Sequence, residues 1–338
     1  MEYGAIDLHL RHSQIRIVRE DGSVVLDRRV STTRESLTAL FGGRPRLRVV
    51  VETGTESEWV AQTVETCGHE VVVVDPNYAL MYGTWQRRVK TDRRDAAGLA
   101  EANRRGIYRA AHRVSASQRH QRRVLRVREQ LIRVRTQAIN LLRAQLRQEG
   151  YRLPAGSAEC AVPRYRGLTI PEPLAQALAP VIALLEHLGP AIVTANTDAK
   201  VAAHQDPIVR RLTTAPGVGV ITGLTYRAVV DDIRRFHDAA AASAYFGLVP
   251  REDSSAERQC RGRITKAGPS MPRSLLIQAA WSVWRQRARD PLQVWVRRLA
   301  DRRGRRIAVV ALARRLCRIL YAMWRDDTDY QPAPMVVA

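Results

Sequence analysis

The chain has 338 residues and 45% of them are hydrophobic, so two ordinary domains can bury sizeable cores and wholesale disorder is excluded. Lys and Arg outnumber Asp and Glu by 55 to 33, a formal net charge of +22 that attracts polyanions and puts nucleic acid first among candidate partners. No run approaches the ~18 uninterrupted apolar residues of a spanning helix, and the acidic, strand-like start MEYGAIDLHLRHSQ is no signal peptide, so no membrane partner and a cytoplasmic location are expected.

Tyr3–Leu8, Ile15–Val18 and Val24–Val30 read as strands, with Glu20-Asp21-Gly22 as a hairpin turn between the last two. Ser31–Phe41 has helical character, and Thr32 or Thr33 can cap its start. Leu47–Val51 is an apolar, β-branched run suited to a buried central strand. Glu58–Cys67 predicts a helix ended by Gly68, and Glu70–Val74 a further buried strand. Strands first, then alternating helices and strands, predict a mixed α/β sheet with an antiparallel start, assigned to residues 1–112.

Residues 113–205 change character. Val124, Val127, Leu131, Val134, Ala138 and Leu141 alternate by three and four, as in a coiled-coil seam. Between them stand arginines, including Arg122, Arg126 and Arg133, with only Glu129 and Glu149 to balance them. A basic helical arm that pairs through its apolar stripe and offers cations to phosphates is the expectation; a solvated basic face is the alternative. Residues 151–172 read as a loop, and the helical stretch Leu174–Ala203 is expected to break near Pro180 and Pro190. A mostly helical compact region follows over 206–325, and the tail 326–338 holds little to pack. Cys67, Cys160, Cys260 and Cys317 show no metal-ligand spacing and read as reduced thiols. Trp281, Trp284, Trp295 and Trp324 could stack bases, but their apolar helical surroundings favour core packing.

Four acids carry the chemistry. Asp7 lies within the first strand, where an unpartnered charge costs several kcal/mol. Glu52 ends Val49-Val50-Val51, and Asp92 and Asp95 share one face of a helical turn at i and i+3. Oxygen donors in this number suit Mg²⁺ or Mn²⁺, and two such ions ~4 Å apart can serve phosphodiester chemistry. Taken singly, each acid could equally be hydrogen-bonded or salt-bridged to the many arginines.

The order of these acids resembles the RNase H-like superfamily and, in local wording, its RuvC-like branch. Gly4-Ala5-Ile6-Asp7, Val51-Glu52-Thr53-Gly54, Val74-Asp75-Pro76 and Lys90-Thr91-Asp92 through Asp95-Ala96 are similar to the N-terminal half of the DEDD transposases of insertion-sequence family one hundred and ten. Ala215-Pro216-Gly217-Val218-Gly219, Tyr245-Phe246-Gly247-Leu248-Val249-Pro250, Ser254-Ser255 and Gly262-Arg263-Ile264-Thr265-Lys266-Ala267-Gly268 resemble that family's C-terminal transposase domain in order and spacing. The resemblance covers about residues 1–325. It implies that Asp7, Glu52, Asp92 and Asp95 bind the metal and that Ser255 is a nucleophile forming a covalent seryl-DNA intermediate. It also implies donor and target DNA, a structured guide (bridge) RNA and a homo-oligomer, dimer or tetramer, as partners, with nucleoid association when bound to DNA. The family usually has leucine where Pro272 stands; Pro272 suits a helix's first turn, with Ser270 as its cap.

The residues around Ser255 add their own physics. Serine needs an activating base or metal, and no histidine is closer in sequence than His237. Arg251, Arg258, Arg261, Arg263 and Lys266 surround it with cations able to hold a phosphate. Gly217 and Gly219 permit a tight turn that exposes N–H groups at a helix start, like a helix-hairpin-helix element; a purely structural turn is the alternative. His9 and His12 read as surface residues beside the first strand. Two rivals remain: a junction resolvase that uses water as nucleophile, and a non-catalytic nucleic-acid-binding protein.

Overall fold

The computed structural model describes residues 1–75, 91–252, 261–286 and 290–332. The chain forms two compact units, Met1–Arg113 and Val114–Ala338.

In the first unit, β1 (Tyr3–Asp7), β2 (His12–Val18) and β3 (Val24–Ser31) form an antiparallel meander. β4 (Arg48–Glu52) and β5 (Glu70–Val74) then add in parallel on the other side of β1, in the order β3-β2-β1-β4-β5. The parallel joins need crossovers, and α1 (Arg34–Phe41) and α2 (Ser57–Thr66) supply them. Thr33 caps α1 by accepting from the Ser36 N–H. Strand alternation sorts the side chains into two layers. Ile6, Ile15, Ile17, Leu47, Val49 and Val51 pack with Leu37, Phe41, Val60 and Val64 of α1 and α2. Ala5, Val18, Val50 and Val74 point the other way, onto Leu99 and Ala100 of α3 (Asp92–Arg105). The outer edge of β5 is covered by residues 109–111, through Asp75 N–H to Arg109 O and Ala111 N–H to Val73 O. The mixed α/β expectation holds, and its elements match to within a few residues.

The second unit opens with a helical hairpin. α4 (Ala116–Gln148) and α6 (Glu172–Gln205) run antiparallel, because Ala138, Ile139, Leu142 and Leu146 meet Leu178, Ile182 and Leu185 while Leu125 meets Ala199 and Ala203. The buried line of α4 is therefore only partly the expected seam: Ala138 is inside, but Val127 and Leu141 stand 59% and 49% exposed. α5 (Ala161–Arg166) lies within the segment read as a loop and covers the hairpin's end with Ala161.

Two expectations about α6 change. It continues through Pro180 and Pro190 instead of breaking, since Leu178, Ile182, Leu185, Leu188 and Ile192 keep a buried stripe at helical spacing across both prolines. Among the described residues it is also the one helix long and apolar enough to cross a membrane, which the search for an uninterrupted apolar run missed. Packing against α4 covers part of it: 28% of the apolar window is buried.

α7 (Pro207–Leu212), α8 (Val220–Val230), α9 (Ala239–Tyr245), α10 (Ser270–Arg285), α11 (Pro291–Arg303) and α12 (Arg305–Arg325) form the rest, with a two-stranded ribbon of β6 (Pro250–Glu252) and β7 (Arg261–Ile264). α12 is the axis of this core, burying Ala308, Val309, Leu312, Leu316 and Leu320 among others. Tyr226 of α8 is fully buried, stacks on Phe246 and satisfies its hydroxyl by donating to Cys317 O at 3.1 Å. Trp281, Trp284 and Trp295 pack against the same core with an arginine over each ring, and Trp324 is buried, as the packing reading expects. Pro269, not Ser270, is the cap of α10, and Pro272 sits buried in its first turn. The start of the tail is docked rather than loose: Tyr330 donates its N–H to Thr214 Oγ1 and its hydroxyl to the Asp290 carboxylate.

Candidate active site

Asp7 is the last residue of β1, on the face that carries Ala5, and so points toward the α3 layer. Its neighbour on β4 follows from the register. The last β1–β4 pair is Ile6 with Val51, and one step further lie Asp7 and Glu52, the residues that end the two strands. Glu52 shares the parity of Val50 and hence the same face.

α3 brings the other two acids. Thr91 caps it by accepting from the Arg94 N–H, and the capped turn starts with Asp92 and holds Asp95. Acids in a first turn also gain from the helix dipole. Both lie close enough to Asp7 to raise its pKa: burial is the largest cause, Asp95 and Asp92 add to it, and His9 opposes it. Asp7 is 8% exposed, and its Oδ2 is shut off from water without a hydrogen-bond partner.

Two buttresses fix α3 against the sheet. Near its start, Arg93 Nε donates to Asp27 Oδ2 at 2.7 Å, and Asp27 also accepts from Gln14 and Arg16 of β2. Burial pushes the Asp27 pKa up, but the bonds from Arg93 and Gln14 outweigh it and the net shift is downward. Near its end, the buried Asn103 donates Nδ2 to both Gly4 O and Arg48 O at 2.8 Å, tying α3 to β1 and β4 together.

One further residue joins the acids. His9 Nε2 lies 3.3 Å from Asp7 Oδ2 and 3.4 Å from Asp92 Oδ1, so it bridges the two acids instead of standing apart from them. His9 lies in the turn after β1, where strand alternation no longer applies, so no local signal tied it to Asp7 or Asp92. Asp7, His9 and Asp92 together offer three donor atoms within 4.8 Å of one another. A shielded carboxylate oxygen that makes no well-formed hydrogen bond, among further acids, fits a divalent cation: oxygen-rich donor sets suit hard ions, and a cation would satisfy that oxygen.

In the second unit, Ser255 and Arg258 lie outside the described residues, as do Ser254 and Cys260. What is described is the ribbon that flanks them. β6 and β7 pair from Pro250–Ile264 to Glu252–Arg261, and Arg251, Arg263 and Lys266 are exposed on or beside it. The base of the ribbon is a glycine-on-backbone contact. A Cβ on Gly247 (φ 65°) would sit 2.4 Å from Ala267 O, and one on Gly268 (φ 67°) 2.1 Å from Tyr245 O. Arg273 Nη1 closes this base by donating to Phe246 O at 3.1 Å and Ala267 O at 2.8 Å. The motif glycines therefore have a steric reason to be glycine.

The Pro216–Gly219 turn divides in its meaning. Gly217 (φ 72°) packs so tightly that a Cβ would fall 2.4 Å from Ala279 O, which is a structural requirement. Gly219 caps α8 without a side chain, leaving that helix start facing a groove lined by Arg128, Lys200, Ser274 and Gln278. The arginines of α4 also divide. Arg126 and Arg133 are exposed, Arg133 within 3.6 Å of Glu129, whereas Arg122 donates to Ala228 O and Val229 O at the end of α8. Burial lowers the Arg122 pKa.

Comparison with known proteins follows these two units. Residues 5–150 match the profile of the DEDD transposase domain of the IS110 type, and residues 209–293 that of the transposase IS116/IS110/IS902 family. A probable family 20 transposase of Pseudomonas aeruginosa is 29% identical over 97% of this chain and 98% of its own length. The transposase for insertion sequence element IS1111A of Coxiella burnetii is 27% identical over 93% and 87%. The transposase for insertion sequence element IS1328 of Yersinia enterocolitica is 27% identical over 96% and 97%.

Proposed function

The chain belongs to the IS116/IS110/IS902 family of DEDD transposases and is a DNA transposase; on that premise we propose that it is an RNA-guided recombinase with a RuvC-like metal domain and a serine nucleophile. Asp7, Glu52, Asp92 and Asp95 hold Mg²⁺ or Mn²⁺. Such a cation, when bound, polarises a phosphodiester and lowers the pKa of a coordinated hydroxyl. The observation that carries this half of the reading is the shielded, unpartnered Oδ2 of Asp7 facing the first turn of α3.

Ser255 supplies the nucleophile. Its Oγ attacks a DNA phosphorus, the phosphorus–oxygen bond to the adjoining nucleotide breaks, and the proton given up by serine ends on the DNA hydroxyl released. A hydroxyl of another strand then attacks the seryl phosphodiester, restoring serine and joining the strands, so bond energy is conserved and no ATP is consumed. Arg251, Arg258, Arg261, Arg263 and Lys266 steady the phosphate during both exchanges. Support for the serine comes from the motifs on either side of it and from the steric need for Gly247 and Gly268 at the ribbon's base.

The substrate is DNA, and a structured guide RNA selects donor and target. The exposed Arg126 and Arg133 of α4 and the bare start of α8 at Gly219 are the surfaces for phosphate backbones. Self-association uses the apolar residues that the α4–α6 hairpin leaves outside: Val127, Leu141, Leu184, Val193 and Val201. A monomeric mass in light scattering at micromolar concentration counts against that association.

The deciding experiment incubates the protein with RNA transcribed from its flanking DNA, supercoiled donor DNA and Mg²⁺, and assays for an SDS-resistant protein–DNA adduct. An adduct lost in both Ser255→Ala and Asp7→Ala is expected. Metal-dependent cleavage without an adduct, unaffected by Ser255→Ala, makes the protein a resolvase-like nuclease that uses water. No cleavage under any metal makes it a binding protein only.

A further inference from the structure

We infer that His9 is a ligand of the catalytic cation, so that the site is a mixed nitrogen–oxygen centre with a preference for Mn²⁺ over Mg²⁺. The inference rests on the reading that the acids hold a divalent cation, and adds a donor that the DEDD pattern does not contain.

The geometry argues for ligation. An ion with bonds of about 2.1 Å sets neighbouring ligand atoms about 3 Å apart. His9 Nε2 stands 3.3 Å from Asp7 Oδ2 and 3.4 Å from Asp92 Oδ1, close to two edges of such a coordination shell. The three atoms all lie within 4.8 Å of one another, so one ion can reach them together. Asp7 Oδ2, the oxygen nearest the imidazole, is the one without a hydrogen-bond partner. The imidazole is the polar group nearest that oxygen, so one ion between them would serve both.

The backbone holds His9 ready for this. Its carbonyl accepts from Thr32 Oγ1 at 2.8 Å, the same hydroxyl pairs with Ser13 Oγ at 2.8 Å, and Thr32 N–H donates to Arg11 O at 2.9 Å. The turn between β1 and β2 is thus pinned to the end of β3. A donor carried on a braced turn needs little reorganisation to bind. The imidazole itself is half-exposed, leaving room for a hydrated ion to enter beside it.

The chemical consequence is selectivity. Mg²⁺ favours oxygen donors and water, whereas imidazole raises the affinity of later divalent ions. Mn²⁺ accepts both kinds of donor, so it gains more than Mg²⁺ when one oxygen of the shell is replaced by nitrogen.

Mn²⁺ is also the probe. The full-length protein is loaded with Mn²⁺ alone and examined by pulsed electron paramagnetic resonance for ¹⁴N coupling, with Mn²⁺ and Mg²⁺ affinities measured by calorimetry. Wild type is expected to show imidazole nitrogen coupling. His9→Gln is expected to bind Mn²⁺ without that coupling, with its Mn²⁺-over-Mg²⁺ preference reduced about tenfold. Bound Mn²⁺ with no nitrogen coupling in wild type, or coupling that persists in His9→Gln, overturns the inference and leaves the carboxylate site standing. No Mn²⁺ binding in wild type, or binding undiminished by Asp7→Asn, removes the metal site itself and the inference with it.

Discussion

Asn103 is where the geometry of the acids meets the stability of the fold, and two substitutions there separate a positioning role from mere space-filling. Its Nδ2 donates to Gly4 O and Arg48 O, one carbonyl on each of the adjacent parallel strands that end in Asp7 and Glu52. Each neutral bond is worth about 1 kcal/mol net, so losing both costs about 2 kcal/mol. The side chain also carries a penalty, because its Oδ1 is buried without a partner. Asn103→Leu removes bonds and penalty together, and the net loss should be about 1–2 kcal/mol.

Asn103→Asp has nearly the same shape but the opposite polarity. An ionised carboxylate would face two carbonyl oxygens at a position 1% exposed, and leaving a charge there costs 3 kcal/mol or about that much. Burial and the carbonyls favour the neutral acid, so the folded-state pKa of the new Asp rises above its unfolded value of about 3.9. Its penalty therefore grows as the pH climbs above that unfolded value and shrinks as the pH falls toward it. Hydrogen exchange of the full-length protein, read by mass spectrometry on peptides of β1, β4 and α3, reports the local opening free energy directly. The reasoning fails if Asn103→Asp is no worse than Asn103→Leu at neutral pH, or if Asn103→Leu opens no more readily than wild type.

Three further outcomes follow from the same structure. Arg104 first and Arg105 with it hold the Glu101 pKa down at about 2, so Glu101 contributes stability above its unfolded value near 4.5 that disappears as the pH falls from there toward 2. With its side chain 41% exposed the contribution is only about 0.5 kcal/mol, and Glu101→Gln should flatten the acid limb of the unfolding curve by that much. Gly268→Ala forces a methyl onto Tyr245 O and imposes a left-handed φ on alanine, so it should destabilise the second unit by about 3 kcal/mol or more in denaturant melts. Arg122→Ala should lower the melting temperature, because it uncaps Ala228 O and Val229 O, whereas Arg126→Ala should leave melting unchanged and reduce the salt slope of nucleic-acid binding by about 1.

Legibility in the sequence depended on whether a residue's partner was local or distant. β1 and β4 could be read because alternation acts over a few residues, and the four acids came with them and with the helical turn at Asp92–Asp95, though neither the Thr91 cap nor the length of α3 was foreseen. Their family wording did the rest. His9 was rightly read as a surface residue, but its contact with Asp92 was not legible, because its chain neighbours Leu8 and Leu10 say nothing of a residue that α3 brings to it. The same holds for Asn103, a polar residue on a helix whose partners are carbonyls 99 and 55 positions away. α4 shows the limit from the other side. Its three-and-four spacing supports two stripes, and only tertiary packing against α6 decides that Leu142 and Leu146 go inside while Leu141 stays out. The choice leaves Val127 and Leu141 exposed on the same helix as the exposed Arg126 and Arg133. The residues that escaped a purely local reading are thus the ones whose partners lie far along the chain: the carbonyls that Asn103 ties together, Asp92 beside His9, and α6 against α4.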